Sequence, residues 1–487
     1  MNRKIIFSII FVAISCWLHA QYTTPGTGVT WNLNDLVANA PGAITNNGDQ
    51  YNILANITIA STDTLRQTQD AYLQVKEAVL ITVNGVLELI PENLITITAM
   101  DTTQHFSGFR FEDTDHSYLE KCLIEFGGGI KLVNSDIRIE DCILRKFDKS
   151  NCTGTIDLFE SSPEILDCDI YLNQGPAVLS AANGESSPFI KGCWIYRNNT
   201  ENTNMPQINL GTSEPEVDII IRDNLIEGFY DKAGGIAVTT LAGGYLSCVI
   251  DSNSIVNNRY GITVYGFDIN SVISNNILAD NNIENIPFQG GSGINFWGGT
   301  SNVSMVFGNE IYGNLWGITN TGDAMPNMGQ VEPDTINPGK NIIYDNGNLG
   351  TVYALYNNTP NNIFAENNYW GSYDPDSVEA VIFHYPDDES LGFVDYIPFK
   401  DYMTGVIEKP QYKAPSLSIF PNPAISSITI NVENKGTICI YNLAGVKILE
   451  EEVSPGIPMD ISKLINGVYF TLFSNDVVTL TGKFIKE

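Results

Sequence analysis

The chain has 487 residues and a formal net charge of −31, from 25 Lys and Arg against 56 Asp and Glu. Such an acidic surface repels phosphate backbones and acidic membranes, so we expect no nucleic-acid partner. Hydrophobic residues make up 43% of the chain, which is enough for a sizeable core. The length fits one elongated domain plus one ordinary domain, and a monomer is expected.

The N-terminus carries the features of a signal peptide, which we assign to residues 1–20. Two basic residues precede an apolar run from Ile5 to Trp17, and Ala20 offers a cleavage site. The run is too short to span a bilayer. Lipoprotein processing at Cys16 is an alternative, although the residues before it lack the usual Leu. The sequence therefore predicts an exported protein.

A repeated frame organises the centre of the chain. It reads N-x-I-x-x-N-x-x-G-I from Asn253 and again from Asn309, with apolar residues at both ends of a polar turn. An anchor residue, followed two positions later by Ile, Leu or Trp, continues the frame in both directions at intervals of roughly 20 to 33 residues. The anchors are Cys122, Cys142, Cys168, Cys193, Asn224, Asn253, Asn276, Asn309, Asn341 and Asn368.

The segments between the anchors indicate short strands. Alternating apolar runs are separated by Asn, Gly and Asp, and no stretch of the repeat keeps a helical period. Three short strands per coil of irregular length predict a parallel β-helix. In such a solenoid, equivalent side chains lie above one another at the spacing of adjacent strands, about 4.8 Å.

The stacking explains why the anchors are Asn or Cys. Asn amides at a bend can bond to one another and to the backbone, and a Cys is small enough to be buried there without a partner. We therefore predict one ladder, with Cys in the first four coils and Asn afterwards. A redox role for stacked Cys pairs is the alternative, because the coil spacing suits a disulfide. Loss of Cys16 would leave an odd number of cysteines, which argues against a disulfide framework.

Two sequence motifs, one on each side of the repeat, resemble those of a known family. The first spans Leu94 to Gly127 and ends C-L-I-E-F-G, and the second spans Glu366 to Phe399 and contains N-Y-W-G and G-F-V-D-Y-I-P. They resemble the opening coils and the terminal cap of secreted right-handed β-helix proteins of the pectin-lyase-like superfamily. The resemblance implies an all-β solenoid and leaves the activity open, because a fold does not assign a function.

The C-terminal segment differs in character from the repeat. From Ser416 onwards it shows six or seven alternating strands, which predict a small antiparallel β-sandwich. The phrases F-P-N-P-A from Phe420, Y-N-L-A-G from Tyr441, G-V-Y-F from Gly467 and K-F-I-K from Lys483 resemble the type A C-terminal sorting domain of type IX secretion. That resemblance implies recognition by the type IX secretion machinery, passage across the outer membrane, and removal of the domain with anchoring or release of the remainder.

Together these signals divide the chain into five parts. The parts are a signal peptide at residues 1–20, an N-terminal cap with the first coils at 21–116, a right-handed parallel β-helix with its C-terminal cap at 117–403, a linker at 404–415, and the sorting domain at 416–487.

Four aromatic residues form the candidate binding site. Tyr260 and Trp316 each precede a Gly-Ile step of the frame, whereas Tyr265 and Trp297 each follow such a Gly by four positions. Strand alternation places Tyr265 and Trp297 on the outside of the coil. Exposed aromatic rings along a solenoid can stack on sugars, so polysaccharide is the expected ligand. Alternatively, the loop at residues 282–292 folds over these rings and buries them.

Catalysis stays an open alternative. A lyase needs a basic residue and neutralisation of a uronate, and a hydrolase needs paired carboxylates. Neither arrangement is recognisable, although Asp141, Asp167 and Asp169 could form a carboxylate column and Arg259 is among the basic residues of the middle coils. We expect a glycan-binding or adhesive surface protein first, a polysaccharide lyase or glycoside hydrolase with an unrecognised site second, and a structural protein third.

No cofactor is indicated by the sequence. One acidic segment near the end of the solenoid could hold calcium, although a solvated acidic cap fits it better because the ligands lack the order of a known calcium loop. Its residues are Asp374, Asp376, Asp387, Asp388 and Glu389.

Overall fold

The computed structural model describes residues 21–400, 417–432, 434–442, 446–475 and 479–486. These residues belong to two compact units, one within 21–400 and one within 417–486. The predicted signal peptide at 1–20 and the predicted linker at 404–415 lie outside the described residues.

Three long sheets wrap the first unit, and successive strands of each sheet come from successive coils. Their pairings are parallel, apart from one antiparallel hairpin at the start of the third sheet. This architecture confirms the predicted parallel β-helix. We name the three sheets A, B and C.

Sheet A has 14 strands. They are Tyr22–Thr23, Ile57–Ile59, Leu80–Val83, Gly108–Glu112, Ile130–Val133, Ile156–Phe159, Val178–Ser180, Pro206–Leu210, Gly234–Thr239, Ile262–Gly266, Ser292–Gly298, Trp316–Gly322, Leu355–Asn358 and Ile382–Phe383.

Sheet B has 11 strands and sheet C has 13. Those of sheet B are Thr30–Trp31, Thr64–Gln67, Val86–Leu89, Tyr118–Glu120, Arg138–Glu140, Glu164–Leu166, Phe189–Lys191, Ile219–Arg222, Leu246–Asp251, Ile269–Ser274 and Asn302–Phe307. Those of sheet C are Ile44–Asn47, Gln50–Ile53, Ala71–Val75, Ile95–Ala99, Cys122–Glu125, Ile143–Arg145, Asp169–Tyr171, Trp194–Tyr196, Leu225–Glu227, Ser254–Val256, Ile277–Ala279, Glu310–Tyr312 and Ile342–Tyr344.

The anchor ladder has the predicted register. The residues after the anchors pair from coil to coil along sheet C, so that the ladder runs without a break from Cys122 to Asn368. Asn253 is fully buried, and its Nδ2 donates to Ile221 O at 2.9 Å and to Asn276 Oδ1 at 3.0 Å. Its own Oδ1 accepts from Asn224 Nδ2 at 2.9 Å. Each Asn of this kind therefore satisfies a neighbour in both directions.

The Cys part of the ladder uses weaker contacts. The Cys168 thiol donates to Leu166 O at 3.1 Å and is fully buried. Burial raises the pKa of this thiol well above its usual value. A protonated, inaccessible thiol reacts poorly, so the packing supports the structural interpretation of these cysteines rather than a redox role.

A left-handed residue precedes every anchor, and this turn explains the local sequence. Short polar residues and Gly adopt positive φ most readily. Asp141 and Asp167, predicted as part of a carboxylate column, are two of these turn residues, and Asp169 lies on the next strand. The full set with its positive φ is Lys121, Asp141, Asp167, Gly192, Asp223, Ser252, Asn275, Gly308, Lys340 and Asn367.

A second ladder lies five residues after the first, at the second Asn of the repeated frame. Asn314 Nδ2 donates to Asn346 Oδ1 at 2.9 Å, as Asn258 Nδ2 does to Asn281 Oδ1 at 3.1 Å. Between Asn173 and Asn346 one coil lacks the Asn, and there Gln207 bridges Asn198 and Asn258. This Asn belongs to the repeated frame, but no ladder was predicted for it.

Short helices lie at the two ends of the solenoid. The helix Leu33–Asn39 begins after Asn32, whose side chain caps it. The helix Pro375–Glu379 is capped by Asp374, and the chain returns to a strand at Ile382–Phe383. Two-stranded pairs complete this end, namely Gly347–Asn348 with Thr351–Val352 and Ile363–Phe364 with Val394–Asp395.

The second unit is a pair of antiparallel sheets, as predicted. Its core contains Ile438, Phe473 and Phe484, which are buried between the strands. The three-stranded sheet has Ser418–Phe420, Ser427–Asn431 and Met459–Asp460. The four-stranded sheet has Lys447–Val453, Gly436–Tyr441, Gly467–Ser474 and Thr479–Lys486.

Candidate functional site

A groove of about 670 Å³ lies on the outer face of sheet A in the later coils. Its volume falls in the range of ordinary ligand sites. We call it the groove, and its lining is Asn204, Arg259, Tyr260, Thr263, Tyr265, Pro287, Phe288, Gln289, Gly290, Ser292, Asn295, Trp316, Thr319, Thr321, Tyr356 and Asn358.

The floor of the groove consists of small polar side chains on adjacent strands. Thr263, Asn295 and Thr319 occupy the same register position in three successive coils. The Thr319 hydroxyl donates to Asn295 Oδ1 at 2.8 Å and lies 3.0 Å from the Ser292 hydroxyl. These bonds fix the floor, and its hydroxyl and amide groups can both donate and accept hydrogen bonds.

One wall of the groove is an aromatic stack. Tyr265 and Trp297 are register partners, with ring centroids 4.2 Å apart and an angle of 8° between the rings. Trp297 is 37% exposed, whereas Ile294 and Phe296 on the same strand are fully buried. The predicted alternation is therefore confirmed. Tyr265 lines the groove, and Trp297 lies on the ridge beside it, in edge contact with Phe267.

The opposite wall is a second aromatic cluster. Trp316 contacts Tyr353 at 4.6 Å and Tyr356 at 5.1 Å between ring centroids, and Tyr356 in turn stacks on Phe383. The indole N–H of Trp316 donates to Pro287 O at 3.0 Å. Trp316 is half-buried as a result. The loop at 282–292 thus touches this ring without covering it. This outcome lies between the two alternatives predicted from the sequence, which were exposed rings and rings buried under the loop.

Tyr260 closes one end of the groove and is more enclosed than Tyr265. Its ring lies directly over Gly234, where a Cβ atom would come within 2.2 Å of the ring. Burial raises the pKa of Tyr260 to about 12, although the neighbouring Arg259 opposes the shift. The phenol is therefore neutral at physiological pH and serves as a packed wall with a polar tip.

Arg259 holds the loop beside the groove. Its Nε contacts Glu284, one terminal nitrogen contacts Asn204 Oδ1, and the other donates to Gln289 O at 2.7 Å. From the sequence, Arg259 is only one of several available cations. Phe288 at the tip of this loop is 91% exposed and is not among the site residues predicted from the sequence. An exposed aromatic in a long loop is the signal that could have indicated it.

Carboxylates are missing from the groove lining that the structure describes. None of the lining residues in the described part of the chain is Asp or Glu, so the paired carboxylates that a glycosidase needs do not meet here. Across the described residues, no three His, Cys, Asp or Glu side chains come together in an arrangement suited to a metal ion.

The acidic segment that could hold calcium is engaged in local hydrogen bonds. Asp374 accepts from Ser377 N at 3.0 Å, Asp387 from His384 N at 3.1 Å, and Asp388 from Ser390 N at 2.9 Å. These carboxylates cap turns and a helix end.

Comparison with protein families agrees with the fold. Residues 105–302 match the family model described as right handed beta helix region. A search of curated proteins gave no match. Fold and family model together define a right-handed β-helix protein.

A second family model matches the C-terminal unit. Residues 418–487 match the secretion system C-terminal sorting domain, so the chain is a β-helix protein with a type IX sorting domain at its C-terminus. Such a tail engages the secretion machinery and directs the chain to the cell surface or the extracellular space. In the described part of the chain, neither helix has the length and apolar character that a membrane crossing requires.

Proposed function

We propose that this protein binds polysaccharide through the groove on sheet A, at the cell surface or outside the cell. The observation that carries the proposal is the combination of two aromatic walls with an uncharged polar floor. Aromatic rings contact the apolar faces of sugars, and hydroxyl and amide groups bond to sugar hydroxyls.

The arrangement of the aromatic walls indicates where a sugar ring would lie. Because Tyr265 and Trp297 stack on one another, each covers one face of the other. The next residue in that row is Thr321, which is small and leaves space beside the outer face of Trp297. A sugar ring in this space would continue the aromatic stack for one more coil. The groove would then hold the sugar between this stack and Trp316.

Export by the sorting domain fits this function. A protein that binds extracellular polysaccharide must reach the cell surface or the medium, and the C-terminal domain directs it there. We propose that the solenoid acts as an adhesive or capturing module there, once the sorting domain has been removed.

A binding screen with a matched variant pair tests the proposal. The full chain and its Tyr265→Ala and Tyr72→Ala variants are titrated by calorimetry with a panel of neutral and acidic polysaccharides. Tyr72 is an exposed tyrosine of sheet C, on a face away from the groove. Tyr265→Ala should weaken binding by about 0.5–1.5 kcal/mol, and Tyr72→Ala should leave it unchanged. Equal behaviour of the two variants would place binding elsewhere, and unsaturated products would show a lyase instead.

A further inference from the structure

We infer that the groove accepts an uncharged polysaccharide and excludes the uronate form of the same backbone. This inference rests on the proposed function and narrows its ligand to a chemical class. The inference depends on the charged side chains around the groove, and these are independent of the aromatic contacts.

The groove is a neutral patch on a strongly acidic protein. The whole chain carries a net charge of −31, yet none of the groove-lining residues that the structure describes is Asp or Glu. Within that lining, Arg259 is the one Lys or Arg side chain. Whether the site attracts an anion therefore depends on Arg259.

The charge of Arg259 is already compensated inside the protein. Its guanidinium pairs with Glu284, and the side chains of the two residues are only 9% and 7% exposed. The remaining guanidinium contacts go to Asn204 and to Gln289 O, as described above. A buried pair of this kind presents almost no net charge to a ligand, and its role is to position the loop at 282–292.

A uronate would meet two penalties here. Its carboxylate would lose water against aromatic rings and neutral amides without gaining a counter-charge, which is costly. The overall negative field would also oppose the approach of a polyanion. An uncharged sugar meets neither penalty, because its hydroxyls need the paired donors and acceptors that Thr263, Asn295 and Thr319 provide.

The floor also indicates an extended ligand. Thr263, Asn295 and Thr319 share one register row across three successive coils, and Tyr356 of the second wall follows them in that row. At the strand spacing of about 4.8 Å, two steps span about 10 Å, so the polar floor follows the solenoid axis over the length of a short oligosaccharide.

The test compares backbones that differ only at the carboxyl group. The full chain is titrated with paired oligosaccharides, such as β-1,4-mannan with mannuronan and carboxyl-reduced galacturonan with galacturonan itself, at about 0.05 and about 0.5 M salt. We expect at least one neutral member to bind about tenfold or more tightly than its uronate partner, with little salt dependence. A uronate that binds as tightly as its neutral partner overturns this inference and leaves the proposed function standing. Absence of binding to every glycan overturns both.

A charge variant tests the role of Arg259. Glu284→Gln removes its counter-charge, so binding of the uronate member should appear and should weaken with salt. The control is Glu164→Gln on sheet B, where the Glu164 carboxylate lies 3.0 Å from the Arg138 guanidinium. This variant removes the same charge and should leave uronate binding unchanged. If Glu284→Gln fails to fold, Asn358→Lys adds an ammonium group at the exposed rim and should have the same effect. A folded variant without any gain in uronate binding contradicts the inference.

Discussion

The Cys–Asn ladder fills the same buried position with different side chains in its first four coils and in its later coils. Inside, Cys122 to Cys193 fill the position after the left-handed turn with thiols, whereas Asn224 to Asn368 fill it with hydrogen-bonded amides. Outside, sheet A carries the Lys131–Asp157 ion pair over the Cys coils and the aromatic groove over the Asn coils.

This difference separates what the fold requires from what the site requires. The turn accepts any small buried side chain that can donate to a carbonyl of a preceding residue, so Cys and Asn both satisfy it. The outer row of sheet A has no such constraint, and there Lys131 and Asp157 give way to Thr263, Asn295 and Thr319. The Asn half therefore combines the more strongly bonded interior with the surface that we assign to binding.

The largest effect is expected from breaking the amide ladder. Asn253→Leu should lower the free energy of unfolding of the solenoid by about 2–4 kcal/mol, because the buried amides of Asn224 and Asn276 each lose a partner. Urea denaturation monitored by circular dichroism measures this change. An unchanged transition would mean that the amide ladder contributes nothing to stability.

Trp316→Ala should have the next largest effect, and it should act on two properties at once. The ring is half-buried against Tyr353 and bonded to Pro287 O, so its loss should cost about 2–3 kcal/mol of unfolding free energy. Glycan binding should weaken as well. Loss of stability with full retention of binding would restrict Trp316 to a packing role and remove one wall from the site.

The Cys half should respond more weakly than the Asn half. Cys168→Ala removes one buried sulfur and a weak bond to Leu166 O, and should cost about 1–2 kcal/mol. The same denaturation experiment gives the comparison with Asn253→Leu. A cost equal to or above that of the Asn variant would contradict the idea that the amides bond the later coils more strongly.

Much of the fold could be predicted from the sequence because the ladder repeats one local requirement. The left-handed turn is mostly filled by short polar residues and Gly, the next position by Asn or Cys, and the alternation of Ile262 and Val264 indicates the interior. The second ladder was harder to recognise, since Phe229 stands at its position in one coil and Gln207 replaces the missing amide from another strand. Such a replacement joins residues from different coils and leaves no periodic signal.

The site was predicted only in part. Strand parity placed Tyr265 and Trp297 outside, whereas the degree to which loop 282–292 covers Trp316 depends on Arg259 and Glu284, which lie on different coils. Tyr353 and Tyr356, which complete the second wall, come from a later coil of different length. Sequence spacing could not bring them beside Trp316, whereas the register of sheet A pairs Tyr356 with Thr319 on the strand of Trp316.

The smallest effect is expected at Trp297, the most exposed of the four aromatic residues predicted from the sequence. Trp297→Ala should weaken glycan binding by about 0.5–1.5 kcal/mol and should change unfolding by less than about 0.5 kcal/mol. Titration calorimetry and thermal melting of the same samples give both values. A large loss of stability with unchanged binding would show that the Tyr265–Trp297 stack only supports the fold.

The most direct test of the groove is a crystal structure of the full chain with the tightest-binding neutral oligosaccharide. We expect sugar density over Asn295, Thr319 and Thr321, between the Tyr265–Trp297 stack and Trp316, with the chain of sugars along the solenoid axis. Sugar bound on another face of the solenoid, with the groove empty in the same crystal, would contradict it.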